Sequence, residues 1–238
     1  MDVAIPVSAT KFAAALSLIT ALLVAASLGA SYLSFVPIEG HFLREARESI
    51  VRLLWVDGEG NIPTWYSASL LLTCSVLLAV IATAHRQHRA GNVVGWLILS
   101  LIFGFLSLDE TAQLHELSIA PLQDVFHATG FLHYTWIVPA GVCVVLFVLG
   151  YLKFLMQLPR RTRRLFVLAG AIFVGGAIGV EAISGNQASL HGEQNSTYNL
   201  IITVEELFEM AGVIVFIYAL LDYISRQFTK LAFQFTSR

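Results

Sequence analysis

The chain has 238 residues, of which 57% are hydrophobic and only 13% are charged, and its formal net charge is −2. Soluble domains need about a quarter charged residues to cover their surface, so this composition excludes an ordinary soluble domain. The small net charge indicates no nucleic-acid partner, and the two cysteines are too few for a disulfide framework. We therefore expect a membrane protein whose partners are membrane lipids.

Six apolar stretches are long enough to cross a bilayer, whose hydrocarbon core takes about 20 helical residues. They predict an all-α fold, a polytopic transmembrane bundle that forms one domain over residues 1–238. The predicted spans are about 12–36, 64–84, 93–120, 131–152, 165–184 and 199–221. Between the first two, residues 41–56 mix charged and apolar positions, which predicts an amphipathic helix at the membrane surface.

The basic residues are unevenly divided between the two sides of this map. Three of them, Arg44, Arg47 and Arg52, lie on one side. The other side holds Lys11, Arg86, Arg89, Lys153, Arg160, Arg161, Arg163, Arg164, Arg226, Lys230 and Arg238. Because short loops rich in Lys and Arg stay in the cytoplasm, both termini are expected to be cytoplasmic. In a bacterium, this predicts the inner membrane, with the opposite face toward the periplasm.

Acidic residues lie inside three of the predicted spans, where a charge is costly and is retained mainly for function. They are Asp109, Glu110, Glu116, Glu181, Glu205, Glu206 and Glu209. A helical rise of about 1.5 Å per residue brings the acids of the three spans to one layer near the outer face. The small residues 175–179 predict that another helix approaches closely just before Glu181.

Helical spacing places Asp109 and Glu116 on one stripe of the third span, while Glu110 and His115 point away from it. No Lys or Arg lies at this depth in the three spans, so protons or metal ions must neutralise the acids. The oxygen-rich set suits a divalent metal such as Mn, Fe or Ca, or Zn with histidine. The predicted metal ligands are Asp109, Glu116, Glu181, Glu205, Glu206 and Glu209. His115 and Glu110 are the candidate catalytic acid–base groups.

A polar turn, Asp57-Gly-Glu-Gly-Asn61, precedes the second span. Its oxygen spacing matches the start of a calcium loop, but position twelve is Ala68 rather than a bidentate Glu. Three interpretations stay open: an ordinary turn, a calcium loop, or a cap over the acids.

Two segments resemble parts of uncharacterised bacterial polytopic membrane proteins. They are Asp57-Gly-Glu-Gly-Asn-Ile-Pro-Thr-Trp-Tyr-Ser67, and Ser107-Leu-Asp-Glu110 followed by His115-Glu116. The resemblance covers most of the chain and implies that the acid-rich layer is a family trait. It implies no known activity.

Three functions are compatible with these residues. The first is a membrane enzyme in which a metal-bound water attacks a lipid or lipid-linked substrate. The second is a proton or cation carrier whose acids titrate. The third is an accessory or scaffold subunit that binds other membrane-protein subunits. A further alternative is that several acids lie in the headgroup region, exposed to water and without function.

Overall fold

The computed structural model describes residues 7–89, 91–126 and 128–228, and these residues form helices and loops without a strand. The helices are α1 (Ala9–Ser34), α2 (His41–Leu54), α3 (Ile62–Gln87), α4 (Val93–Ala112), α5 (Ile119–Phe126), α6 (Ile137–Gln157), α7 (Arg160–Val174), α8 (Glu181–His191) and α9 (Ser196–Gln227). Two 3₁₀ turns cover Glu116–Ser118 and Gly130–Leu132. A π-helical segment, Gly175–Val180, joins α7 to α8 without a break. The predicted all-α helical bundle is confirmed.

Five of the described helices are long and apolar enough to cross a membrane: α1, α3, α4, α6 and the continuous helix Arg160–His191. The sixth predicted span lies in α9, which is not in this apolar group. α9 is 32 residues long and buries more residues than any other described helix. It lies at the centre of the bundle, packed against α1, α3, α7 and α8.

The core around the second half of α9 is apolar. Leu78, Trp96, Met210 and Ile217 are fully buried there. The Trp96 ring centroid lies 5.0 Å from that of Tyr223, which fixes α4 against α9. Because these side chains are large and leave water no access, this half of the bundle is held by hydrophobic burial.

The two ends of α9 define two ends of the bundle. At one end, Asp222 accepts from Arg161 Nε at 3.0 Å, and most of the basic residues of the larger set are located there, so we term it the basic end. At the other end, Asn199 Nδ2 donates to Ser31 Oγ at 2.9 Å, and we term this the acidic end. Lys230 and Arg238 lie outside the described residues. Which membrane face each end occupies stays a prediction.

The helix of the third predicted span ends at Ala112 rather than near residue 120. Gln113 adopts a left-handed conformation with φ 53°, and the Asp109 carboxylate accepts the backbone N–H of His115 at 2.9 Å. This reversal ends the helix, so Glu116 does not continue the stripe of Asp109 and lies in a 3₁₀ turn instead. The amphipathic helix predicted at 41–56 forms as α2, with Phe42 highly exposed.

Candidate functional site

Five carboxyl side chains from three helices face one region near the acidic end. We term them the acidic layer: Glu110 of α4, Glu181 of α8, and Glu205, Glu206 and Glu209 of α9. All five are half-buried. The layer therefore lies between the apolar core and the surface of the acidic end.

Neutral donors bind the carboxylates of Glu181 and Glu205. Trp136 Nε1 donates to Glu181 Oε1 at 2.6 Å, and Ser184 Oγ donates to Glu205 Oε2 at 3.0 Å. The Glu181 and Glu205 charges interact with each other, since α8 and α9 pack together. Hydrogen bonds from an indole and a hydroxyl orient these carboxylates without cancelling their charge.

The remaining three acids complete a connected group. Glu209 interacts electrostatically with Glu110, Glu205 and Glu181, and Glu206 interacts with Glu209. The Ser67 hydroxyl of α3 donates to Glu110. Within residues 7–89, 91–126 and 128–228, no Lys or Arg forms an ion pair with any of the five. Like charges in one low-dielectric region must be neutralised by protons or by a bound cation.

Close backbone approach brings α7 and the π-helical segment against α9. A Cβ placed on Gly176, in the π-helical segment, would lie 2.9 Å from the carbonyl oxygen of Glu205 and 3.1 Å from Glu209 Cγ. A Cβ on Gly212 would lie 2.7 Å from the backbone nitrogen of Phe173. Only glycine fits at these crossings, which agrees with the close approach expected at residues 175–179. π-helical insertions of this kind are frequent at functional sites.

Four loop acids lie near the layer at the acidic end. We term them the acidic mouth: Asp57, Glu59, Glu116 and Glu193. The Glu59 and Glu116 side chains hydrogen-bond to each other. Tyr134 Oη donates to Glu193 Oε1 at 3.0 Å. The loop that carries Asp57 and Glu59 therefore lies beside the turn after α4, in the position of a cap.

Asp57 is the most strongly perturbed acid of the mouth. Its side chain lines a cleft of about 400 Å³ beside α2. Desolvation, followed by the negative charges of Glu193 and Glu116, raises the pKa of Asp57 to about 7. Desolvation and the charge of Glu59 also raise the pKa of Glu116 above its usual value.

His115 and Asp109 form a hydrogen-bonded pair at the inner rim of the mouth. Their side chains meet at 2.9 Å, between His115 Nδ1 and Asp109 Oδ2, and the His115 ring lies 4.8 Å from that of Trp136. Desolvation lowers the pKa of His115, but the hydrogen bond and charge of Asp109 raise it by more, so it lies above its usual value. The expectation that His115 points away from Asp109 is corrected, because the chain reversal after Ala112 turns the ring back.

The predicted site residues are thus placed in three groups. Glu181, Glu205, Glu206 and Glu209 lie in the acidic layer with Glu110, Glu116 lies in the mouth, and Asp109 binds His115. No three His, Cys, Asp or Glu side chains of the described residues come together in an arrangement that could hold a metal ion. The geometry therefore does not support metal binding, which stays a prediction.

The side-chain amide of Asn61 stabilises the Asp57–Asn61 turn. Asn61 Oδ1 accepts from the Thr64 backbone N–H at 3.1 Å and caps α3, while Asn61 Nδ2 donates to the Trp55 carbonyl at 2.6 Å. A side chain committed to these bonds is not arranged as a calcium ligand. Of the three interpretations, the cap fits this geometry best.

Sequence reasoning missed the neutral partners of the layer. Trp136 directly precedes α6 and Ser184 follows Glu181 by three residues, and neither position is distinctive in a sequence. It also missed Asp222, which pairs with Arg161 and with Arg226, at 2.9 Å. The four-residue spacing of Asp222 and Arg226 on one helix is the signal that could have found this pair.

Residues 15–224 match the family described as "Domain of unknown function (DUF8692)". The match covers most of the chain, so the protein belongs to this family. No curated protein and no solved structure matches the chain.

Proposed function

We propose that this member of the DUF8692 family is an integral membrane protein whose acidic layer takes up and releases protons through the acidic end. The observation that carries the proposal is that five carboxylates from three helices interact with one another, and that the donors bonded to three of them, Trp136, Ser184 and Ser67, are neutral. Carboxylates in this situation are kept in the membrane only when protonated or bound to a cation. The proposal includes the orientation predicted from the basic residues, with the acidic end outside the cytoplasm.

The route for protons leads to the acidic end. Below the layer, Met210, Ile217 and Leu78 are fully buried, and the hydroxyls of Ser75 and Ser100 donate to each other's backbone carbonyls rather than to the layer. Above it, Glu181 interacts with Glu116 and Asp57 of the mouth. We therefore favour a site that exchanges protons with one side over a carrier with a continuous path.

His115 and Glu110 are the acid–base groups of this proposal. Asp109 orients the His115 ring, which is the arrangement that makes an imidazole an effective base. Glu110 accepts from Ser67 and interacts with Glu206 and Glu209, so it lies within the layer. The pair at the rim and the acid within the layer could pass a proton between mouth and layer.

The experiment is infrared difference spectroscopy of the protein in mild detergent across a pH series. It follows the C=O stretch of protonated carboxyl groups in the wild type, Glu205→Gln and Glu39→Gln. Glutamine keeps an acceptor for Ser184 but removes the titrating group, so Glu205→Gln should lose part of the pH-dependent band. Glu39 is exposed in the link between α1 and α2, so Glu39→Gln should keep it. Identical spectra for the wild type and Glu205→Gln would exclude the proton-exchange proposal.

A metal-dependent enzyme acting on a lipid or lipid-linked substrate is the second candidate. The acidic layer has no Lys or Arg ion-pair partner among the described residues. This favours the enzyme, because a divalent cation also neutralises clustered acids. The residues as arranged do not form a preorganised metal site, so the layer would have to contract around the ion. Metal analysis after purification without chelator distinguishes the two: stoichiometric metal that Glu205→Gln loses supports the enzyme. A layer with neither titrating acids nor metal would leave the accessory-subunit interpretation.

A further inference from the structure

The basic end carries an excess of positive charge that the acidic layer and its chemistry do not use. We term its exposed or half-buried basic residues the basic patch: Arg86, Arg89, Lys153, Arg160, Arg163 and Arg164. They lie where α3, α6 and α7 end or begin. Among the residues that the structure describes at this end, the acid is Asp222.

Asp222 already pairs with two arginines. It is buried, and its Oδ2 accepts from Arg161 Nε at 3.0 Å and from Arg226 Nε at 2.9 Å. Arg161 also donates from Nη2 to Tyr218 Oη at 2.9 Å. One carboxylate that holds two guanidinium groups cannot neutralise the basic patch as well.

The start of α7 concentrates like charge. Arg160 and Arg164 are four residues apart and therefore lie on the same face of the helix, where like charges repel. The first turn of α7 contains no acid. This arrangement costs stability in isolation and is relieved by an anion outside the chain.

The position of the patch identifies the anion. α3, α6 and the helix that begins at Arg160 are each long and apolar enough to cross a membrane. Basic side chains at the ends of such helices lie at the depth of lipid phosphates, and their alkyl stems reach along the apolar surface. Negative lipid headgroups are the complementary surface present at that depth.

We propose that the basic patch binds the phosphates of anionic phospholipids. The inference rests on the charge distribution at the basic end and is independent of the proposed function. Each basic side chain near an anionic surface strengthens binding by roughly fivefold.

The test is native mass spectrometry of the detergent-solubilised protein, titrated with phosphatidylglycerol or with phosphatidylcholine. The wild type should retain phosphatidylglycerol in preference to phosphatidylcholine. The exposed pair Arg160→Gln/Arg164→Gln should weaken this retention by roughly tenfold or more. The matched control, Arg160→Lys/Arg164→Lys, keeps the positive charge at the same two positions and should leave the retention unchanged.

Two results would overturn the inference. The first is equal retention of the two lipids by the wild type, or unchanged retention in Arg160→Gln/Arg164→Gln. The second concerns the source of the anion. Inorganic phosphate that raises the melting temperature as much as phosphatidylglycerol does, at equal concentration, would mean that the patch binds a free anion rather than a lipid.

Discussion

Asp109 accepts two hydrogen bonds from His115, one from the backbone N–H and one from the ring. A single carboxylate thus ends α4, fixes the turn that follows, and orients an imidazole. The bond to the backbone explains the position of the helix end, since it replaces the helical bonding that Gln113 interrupts. Asp109, predicted as a metal ligand from its depth in the third span, therefore has His115 as a structural partner.

The acids of the mouth are perturbed because three loops bring them together. Asp57 lies after α2, Glu116 after α4, and Glu193 between α8 and α9. Each loop alone would place its acid in water. Only their convergence desolvates Asp57 and adds the repulsion that raises its pKa to about 7.

We predict that Asp57→Asn is more stable than the wild type above pH 7. The pKa of Asp57 rises from an ordinary 3.8 to about 7 on folding, so the folded state binds the proton more tightly. Its contribution to stability is therefore fully present below about pH 4 and is lost as the pH rises through about 7. Asparagine removes this loss while keeping the shape.

The measurement is thermal unfolding in detergent at pH values below 4 and above 7. The expected gain is at most about 1 kcal/mol, because one side of Asp57 is open to the cleft beside α2, where water screens its charge. Glu39→Gln is the control, since Glu39 is exposed and distant in sequence from the mouth acids, and it should show no pH-dependent gain. An Asp57→Asn variant that is less stable at both pH values would contradict the assigned repulsion.

At the scale of the element, hydropathy predicts helices well and their ends poorly. A bilayer needs about 20 apolar residues, so the runs that became α1, α3, α4 and α6 are conspicuous. The reversal at Gln113 depends on one left-handed residue and a side-chain bond, neither of which changes hydropathy. The π-helical segment is also invisible in hydropathy, although its glycines predict the close contact it makes.

The site could be predicted in the same partial way. Depth along each helix suggested that acids of three spans lie in one layer, because the helical rise is fixed by backbone geometry. The direction in which these side chains face depends on where α4 ends. The pairing of His115 with Asp109 could therefore not be predicted from the sequence. The neutral donors Trp136 and Ser184 come from packing across helices, which a single sequence does not encode locally.

We predict that Gly212→Ala destabilises the protein by about 1–3 kcal/mol, the usual cost of overpacking. The new Cβ would meet the backbone nitrogen of Phe173 at 2.7 Å and its Cβ at 2.8 Å, and backbone cannot rotate away. The measurement is denaturant or thermal unfolding in mild detergent. Because the contact lies at the crossing that supports the acidic layer, the infrared band of the layer should also change.

Gly170→Ala is the matched control on the opposing helix. Nothing lies within 4 Å of a Cβ at Gly170, and the residue is inside α7. Alanine has the higher helix propensity, so this change should be neutral or stabilising by up to about 1 kcal/mol. Equal destabilisation by both substitutions would show that the close crossing does not limit stability.

At the scale of the whole molecule, the central position of α9 explains its composition. Its three layer acids and Asp222 reduce its hydropathy, while the five apolar candidate spans include the helices packed around it. The packed face of such a helix meets protein rather than lipid, so it can carry polar groups that a lipid-facing surface cannot. α9 contacts Ser31 at one end of the bundle and Arg161 at the other, so it runs the full length of the bundle.

The last prediction follows from that path: α9 crosses the membrane, which gives six crossings and places both chain ends on the same side. The measurement is labelling of single introduced cysteines by a membrane-impermeant maleimide, in a background in which exposed Cys143 is replaced by Ala and buried Cys74 is kept. The positions are Gln87, Gln157 and Gln227 at the basic end, and Thr129 and Gln194 at the acidic end. All five are exposed, so a lack of labelling reports membrane side and not burial.

We expect intact cells to label cysteines at Thr129 and Gln194, and permeabilised cells to label all five. The parity of crossings makes the pair Gln194 and Gln227 decisive, because they flank α9. Labelling of both in intact cells would mean that α9 does not cross the membrane. Its glutamates would then lie in an extramembrane helix, where water solvates their charges. If intact cells label only the three positions of the basic end, Gln87, Gln157 and Gln227, the protein still has six crossings but the opposite orientation. The acidic mouth would then lie in the cytoplasm.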